Sequence, residues 1–264
     1  MRFELFFYRV KTLEQIIPPI AAELAQFEAF FEQTMKAETE PMNSIMHYVL
    51  DSRGKRLRPI LVLLSAKLFG EVNSQTLRAA TFVEMVHSAT LIHDDVVDNA
   101  DSRREKASVK ARFGNLSAVL AGDYLLAKAM LLLAHPNDYA ILQEMLHTAA
   151  AMSEGELMQN QNQSNYIDII TRKTAMLMRS CCVAGALSVN ASPEQVQQIA
   201  DFGMNFGILF QLRDDILDSE NVALAQSLLP IYHEKTLKAL ECFPPSEIVE
   251  ALHDLTMFCA KRAE

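Results

Sequence analysis

Breakers are scarce in this chain. Glycine accounts for 8 of 264 residues and proline for 9, and tryptophan is absent. So few turn-formers argue against a turn-rich β sandwich and leave room for long helices. Cysteine is also sparse. None of the four cysteines shows a CxxC spacing, and Cys181 and Cys182 are adjacent, which points to reduced thiols in a cytoplasmic protein. Long apolar runs are missing too. Stretches such as Met130–Ala134 fall far short of the ~18 residues that span a bilayer, so no transmembrane segment is expected. An acid interrupts the apolar start Met1–Leu5, which argues against a signal peptide. Positive charge is in deficit, with 24 Lys and Arg against 33 Asp and Glu, a net charge of −9. That balance speaks against a nucleic-acid partner. It still allows an anionic small molecule met by local cations or a metal ion.

What is present is helical. Hydrophobic residues make up 50% and charged residues 22%, a globular composition. Apolar positions three to four apart predict a helix over Ala21–Lys36. Pro41 opens a second helix, ending near Gly54, and Pro59 a third, ending at Phe69-Gly70. Asn73 or Ser74 caps a long helix reaching about Asn99. A polar connector over 100–114 follows, then helices over Asn115–Ala134, Asp138–Asn160 and Tyr166–Val189. Ser192-Pro193-Glu194-Gln195 forms a capping box that launches a helix through Asp218, and shorter stretches broken at Pro230 and Pro244-Pro245 complete the chain. No strand pair, fixed repeat or linker is visible. The expectation is one all-α domain over residues 1–264, a bundle of long helices.

Two segments carry chemistry. His93-Asp94-Asp95-Val96-Val97-Asp98 and Gln211-Leu212-Arg213-Asp214-Asp215-Ile216-Leu217-Asp218 each hold Asp-Asp-x-x-Asp near the end of a long helix. On a helix, Asp94 and Asp98 share a face, as do Asp214 and Asp218. Clustered acids repel one another, and at a C-terminus they also oppose the helix dipole. A cation resolves the conflict. Carboxylates without histidine or thiolate partners suit Mg²⁺, which completes its shell with water and phosphate oxygens. The plainer reading is a solvated acidic helix end. With 13 aspartates, one such motif arises by chance with a probability of about 3%, and two far more rarely. Cations accompany the motifs at Lys55, Arg56 and Arg58, at Arg103-Arg104 and at Arg172-Lys173. Arginine forks and lysine point charges are the groups that bind a diphosphate.

Taken together these residues resemble the all-trans isoprenyl diphosphate (polyprenyl) synthases. The likeness runs through Gly54-Lys55-Arg56-Leu57-Arg58-Pro59, His87–Arg104, Phe113–Asp123, Ser153-Glu154-Gly155-Glu156, Lys173-Thr174-Ala175 and Phe206–Asp218. It implies the isoprenoid synthase fold, with long helices around a central cavity, and a homodimer. It also implies that Asp94, Asp95 and Asp98 with Asp214, Asp215 and Asp218 hold about three Mg²⁺ ions on an allylic diphosphate. Arg103, Lys173, Thr174 and Gln211 would complete that site. Lys55, Arg58, His87 and Arg104 would hold isopentenyl diphosphate. The implied reaction ionises the allylic diphosphate, adds the isopentenyl double bond to the cation and releases a proton, with no serine or cysteine nucleophile. A non-catalytic partner subunit and a terpene cyclase are the alternatives. The chain departs from the family where a glycine- and lysine-rich loop usually follows the second motif. Here Asp218-Ser219-Glu220 runs straight into Asn221, and Arg53 and Glu105 replace common glycines.

Product length follows from helix geometry joined to that resemblance. The face running back from Asp94 passes Thr90, Val86 and Phe82, with Ala89 and Met85 beside it. In the family, a bulky aromatic five residues before the motif stops growth at farnesyl length. Ala89 is small, so a longer product is expected, with Phe82 or Met85 as the floor of the tunnel.

Overall fold

Helix follows helix from Leu13 to Lys261 in the computed structural model, which describes residues 10–52, 54–103, 106–161 and 165–262. A short α1 (Leu13–Ile16) precedes α2 (Ala21–Met35), α3 (Glu40–Leu50), α4 (Leu57–Phe69) and the long α5 (Ser74–Val97). After the connector come α6 (Val109–Phe113), α7 (Asn115–Leu132), α8 (Tyr139–Asn160), α9 (Tyr166–Ile170) and α10 (Met176–Ser188). The chain finishes with α11 (Pro193–Leu217), α12 (Val222–Lys238) and α13 (Glu247–Lys261).

Local signals set the long helices. The Asn73 side chain accepts hydrogen bonds from the amides of Gln75 (2.8 Å) and Thr76 (3.2 Å), which fixes the start of α5. At α11, Ser192 and Gln195 exchange capping bonds and Pro193 occupies the first turn. Helix α4 is apolar apart from Arg58, Ser65 and Lys67, and Leu57 and Ile60–Leu64 are buried. A helix this apolar belongs inside, and α4 lies against α5 and α10. The core is continuous from Phe27 and Phe31 through Leu61 and Phe82 to Phe202, Phe206 and Leu255.

Four details differ from the sequence reading. Helix α4 begins at Leu57 rather than Pro59, with Arg56 at its N-cap in the left-handed region (φ 55°). The connector contains a two-residue antiparallel ladder, Ser102–Arg103 with Lys106–Ala107. The expected helix over Tyr166–Val189 is interrupted by a π-helical turn, Thr171–Ala175. Finally, Pro230 does not break the chain but lies inside α12. Pro230 and Gln226, whose carbonyl loses its partner, are both exposed, so the lost bond is not buried. Pro244 and Pro245 do separate α12 from α13.

Helix α7 is long and apolar enough, by length and composition, to cross a bilayer, although its apolar residues are not consecutive. Its Ala118, Ala121, Gly122, Leu125 and Ala129 are buried, and it packs against α5. Leu116, Val119, Leu120, Met130 and Leu131 form an exposed apolar face. The four cysteines are free thiols; only Cys242 is exposed.

Candidate active site

The two aspartate motifs end their helices in the same way. Asp98 and Asp218 are the C-caps of α5 and α11, and their amides donate to the carbonyls of Asp94 and Asp214, both at 2.8 Å. A left-handed residue follows each: Asn99 (φ 53°) and Ser219 (φ 63°). The amides of Ala100 and Glu220 then reach back to the carbonyls of Asp95 (2.9 Å) and Asp215 (2.7 Å). Each motif thus gathers carboxylates at a helix C-terminus, where the dipole itself favours a cation.

Within each motif the three carboxylates sit differently. The middle one is buried and engaged. Asp95 is 3% exposed and accepts a hydrogen bond from Arg103 Nε at 2.8 Å. Asp215 is 5% exposed and accepts from Gln211 Nε2 (2.7 Å) and from the Tyr166 hydroxyl. The last carboxylates, Asp98 and Asp218, are exposed. The first ones are half-buried and electrostatically uneasy. Burial, followed by the charges of Glu156 and Asp98, pushes the Asp94 carboxyl up to about 6, against the pull of Lys173 and Arg103. Burial likewise raises Asp214, with Asp218 and Asp215 adding to it, while Arg262 and Arg58 pull the other way.

The π-helical turn joins the two motifs. It carries Lys173 and Thr174 and is pressed from both sides by glycines. A Cβ on Gly155 of α8 would come within 2.8 Å of the Lys173 backbone nitrogen, and one on Gly207 of α11 within 2.5 Å of Ala175 Cα. Only glycine allows both helices to approach so closely, and π-turns recur at functional sites. Lys173 Nζ pairs with Glu156 Oε2 at 2.6 Å and donates to Gln159 Oε1 at 3.0 Å. The Thr174 hydroxyl donates to Gln211 Oε1 at 2.7 Å. The charge of Lys173 thus acts on Asp94 at the end of α5, while its neighbour Thr174 is hydrogen-bonded through Gln211 to Asp215 on α11.

The remaining expected residues divide. The positive charges of Arg58 and Lys55 are felt at Asp214 and Cys259 respectively, which places this pair on the second motif's side. His87 and Arg103 line a cleft with Ser88, Leu91, Ile92 and Asp95. Arg104, Arg53 and Glu105 lie outside the described residues. The open cleft beside α5 follows the Glu84–Ser88–Leu91–Asp95 face. Ala89, Met85 and Phe82 on the neighbouring face pack into the core. Arg56 holds the bundle together through Glu28 (2.9 Å) and Glu84 (2.6 Å). The short link between α11 and α12 is a turn through Ser219, Glu220 and Asn221, as the departure from the family pattern implied.

Three residues were not legible as site residues. Glu156 lies beside Asp94 and Lys173; its place in Ser153-Glu154-Gly155-Glu156 was the available signal. Tyr166 reaches Asp215, and its aromatic character alone gave no cue. Arg262, just after α13, forms an ion pair with Asp214 and lies 4.3 Å above the Phe210 ring. No spacing could connect it to a motif 48 residues earlier. Among the described residues, no group of three or more Asp, Glu, His or Cys side chains could by itself hold a metal ion. That fits an ion that takes one or two carboxylates and completes its shell with phosphate oxygens and water.

A helical bundle with paired aspartate motifs and interposed cations defines the isoprenoid synthase class. The polyprenyl synthase of Caulobacter crescentus, crystallised with calcium and isoprenyl diphosphate, has this fold, with a TM-score of 0.90 and 25% identity over 97% of this chain and 99% of that one. Residues 39–224 match the model of the polyprenyl synthetase family, and the chain belongs to that family. It is 32% identical over 213 residues to the octaprenyl diphosphate synthase of Escherichia coli K12, covering 78% of this chain and 66% of the relative. To component 2 of the heptaprenyl diphosphate synthase of Geobacillus stearothermophilus it is 34% identical over 207 residues, covering 75% and 64%. The chain thus spans just under two thirds of the length of these curated relatives.

Proposed function

We propose that the protein is a Mg²⁺-dependent trans-prenyltransferase that condenses isopentenyl diphosphate with an allylic diphosphate to give a product longer than farnesyl diphosphate. The observation that carries this reading is the π-helical turn, which places Lys173 and Thr174 between an aspartate motif on α5 and another on α11. Asp94, Asp98, Asp214 and Asp218 would hold the metal ions, Asp214 exchanging its Arg262 partner for one, while Asp95 and Asp215, engaged by Arg103 and by Gln211 and Tyr166, support them. Bound there, the ions would supply Lewis-acid stabilisation of the departing diphosphate. The chain's own residues do the rest. Lys173, Arg103, Thr174 and Gln211 orient the allylic diphosphate and balance its charge. Lys55, Arg58, His87 and Arg104 would fix isopentenyl diphosphate beside it, as the family resemblance implies. Phe210, under the Arg262 guanidinium, offers a ring face that tolerates positive charge without trapping it.

The growing chain runs back along α5 past Ala89, with Met85 and Phe82 setting its limit. The curated relatives named for heptaprenyl, octaprenyl and nonaprenyl products are in keeping with a long chain. We take residues 1–264 as one helical domain working in the cytoplasm. A second copy would cover the exposed Leu116–Leu120–Leu131 face of α7. Incubation with radiolabelled isopentenyl diphosphate and an allylic primer, with and without Mg²⁺, tests the reading. Mg²⁺-dependent formation of long, extractable prenyl products is expected, and no incorporation with any allylic primer refutes it.

A further inference from the structure

Tyr166 begins α9, between the two aspartate motifs in sequence, and it ends the hydrogen-bonded chain that runs from Thr174 through Gln211 to Asp215. Its ring packs against the apolar cluster of Ile170, Ala175, Ile208, Leu212 and Ala225. Its hydroxyl donates to Asp215 Oδ2. The other oxygen, Oδ1, accepts from Gln211 Nε2 at 2.7 Å. Gln211 Oε1 in turn accepts from the Thr174 hydroxyl at 2.7 Å.

The polarity of this chain is forced. An ionised carboxylate only accepts, so Gln211 must turn its amide NH₂ toward Asp215 and its carbonyl toward Thr174. The Thr174 hydroxyl is then committed as donor and keeps its lone pairs outward. Everything depends on Asp215 staying where it is. That carboxylate is almost fully buried, and a buried acceptor that loses a donor bears a large desolvation cost. Without Tyr166, Asp215 would keep Gln211 as its one remaining side-chain donor, and the Gln211–Thr174 bond would lose its register.

We propose that Tyr166 is a positioning residue: its hydroxyl pins Asp215 so that the second motif offers Asp214 to a metal-bound diphosphate while Gln211 and Thr174 keep the Lys173 turn aligned. This rests on the proposed prenyltransferase reading of the same site. Asp215 is accordingly a strut and not a ligand, a division of labour between adjacent aspartates.

Tyr166→Phe keeps the ring and its packing and deletes only the hydroxyl. The first measurement is calorimetric titration of Mn²⁺ with inorganic diphosphate into the wild-type protein and Tyr166→Phe, which needs no turnover. The variant should bind about tenfold more weakly, the usual consequence of losing one hydrogen bond to a charged group. In steady-state assays the KM for the allylic diphosphate should rise by a similar factor while that for isopentenyl diphosphate stays the same. Asp215→Asn, which removes the charge and leaves one acceptor oxygen for two donors, should reproduce the pattern. Unchanged Mn²⁺–diphosphate affinity in Tyr166→Phe overturns the proposal. So does an equal rise in both KM values with a large fall in melting temperature, the mark of a merely structural tyrosine. A wild-type protein without turnover counts against the prenyltransferase reading, and the calorimetric comparison still decides the role of Tyr166.

Discussion

Replacing Asp94 with asparagine should make the metal-free protein more stable and the catalyst useless. Asp94 is raised from 3.8 to about 6, first by burial and then by Glu156. Folding therefore favours the protonated carboxyl. Well below pH 4 the group is protonated in both states and costs nothing. As pH rises from about 4 to 6 the unfolded chain ionises first, and stability falls; above 6 the penalty is complete. For a fully enclosed group such a displacement is worth ~3 kcal/mol. Asp94 is only half-buried and solvent screens it, so we take about 1 kcal/mol. In a chain of this size that is a melting-temperature gain of roughly 2–4 °C. The assay is thermal denaturation of both proteins in a chelator at pH 4 and pH 7.5, repeated with Mg²⁺ and inorganic diphosphate. Asp94→Asn should melt higher at pH 7.5, and most of the advantage should be gone at pH 4. With Mg²⁺ and diphosphate the order should reverse, because only the wild-type carboxylate gains a cation. A lower melting temperature for Asp94→Asn in chelator at pH 7.5 would show that the carboxylate is already well compensated. No reversal with Mg²⁺ and diphosphate would remove Asp94 from the metal site.

Other expectations are simpler to state. Lys55→Ala or Arg58→Ala should raise the KM for isopentenyl diphosphate about tenfold or more while sparing that for the allylic primer, since the lost cation serves one diphosphate; equal effects on both would refute the division of the site. Gly207→Ala puts a methyl group 2.5 Å from Ala175 Cα, so it should displace the Lys173 turn. It should cost about 1–3 kcal/mol in denaturant titration and most of the turnover, and a neutral result would mean the turn can move. Ala89→Phe should shorten the product toward farnesyl length, and Phe82→Ala should lengthen it if Phe82 is the floor. Both are readable by chromatography of the hydrolysed products, and an unchanged product ladder in Ala89→Phe would separate the tunnel from this face of α5.

Much of the fold was legible because its causes are local. Apolar spacing in α2, the Asn73 box before α5 and the Ser192 box before α11 each act within a few residues, and each helix formed where its signals stand. The aspartate motifs were legible for the same reason, since four residues on a helix bring two carboxylates to one face. What the sequence could not assign was the difference between identical residues. Asp94 and Asp95 are neighbours, but one is half-buried and uneasy while the other is sealed against Arg103. Asp214 meets Arg262 and Asp215 meets Tyr166 from 48 and 49 residues away. The π-helical turn is a tertiary decision as well, made where Gly155 and Gly207 let two helices close on Thr171–Ala175. Periodicity and capping are properties of a segment, so they can be read from a segment. Burial, partner and charge at one carboxylate are set by whichever distant helices converge on it, and only the folded chain brings those together.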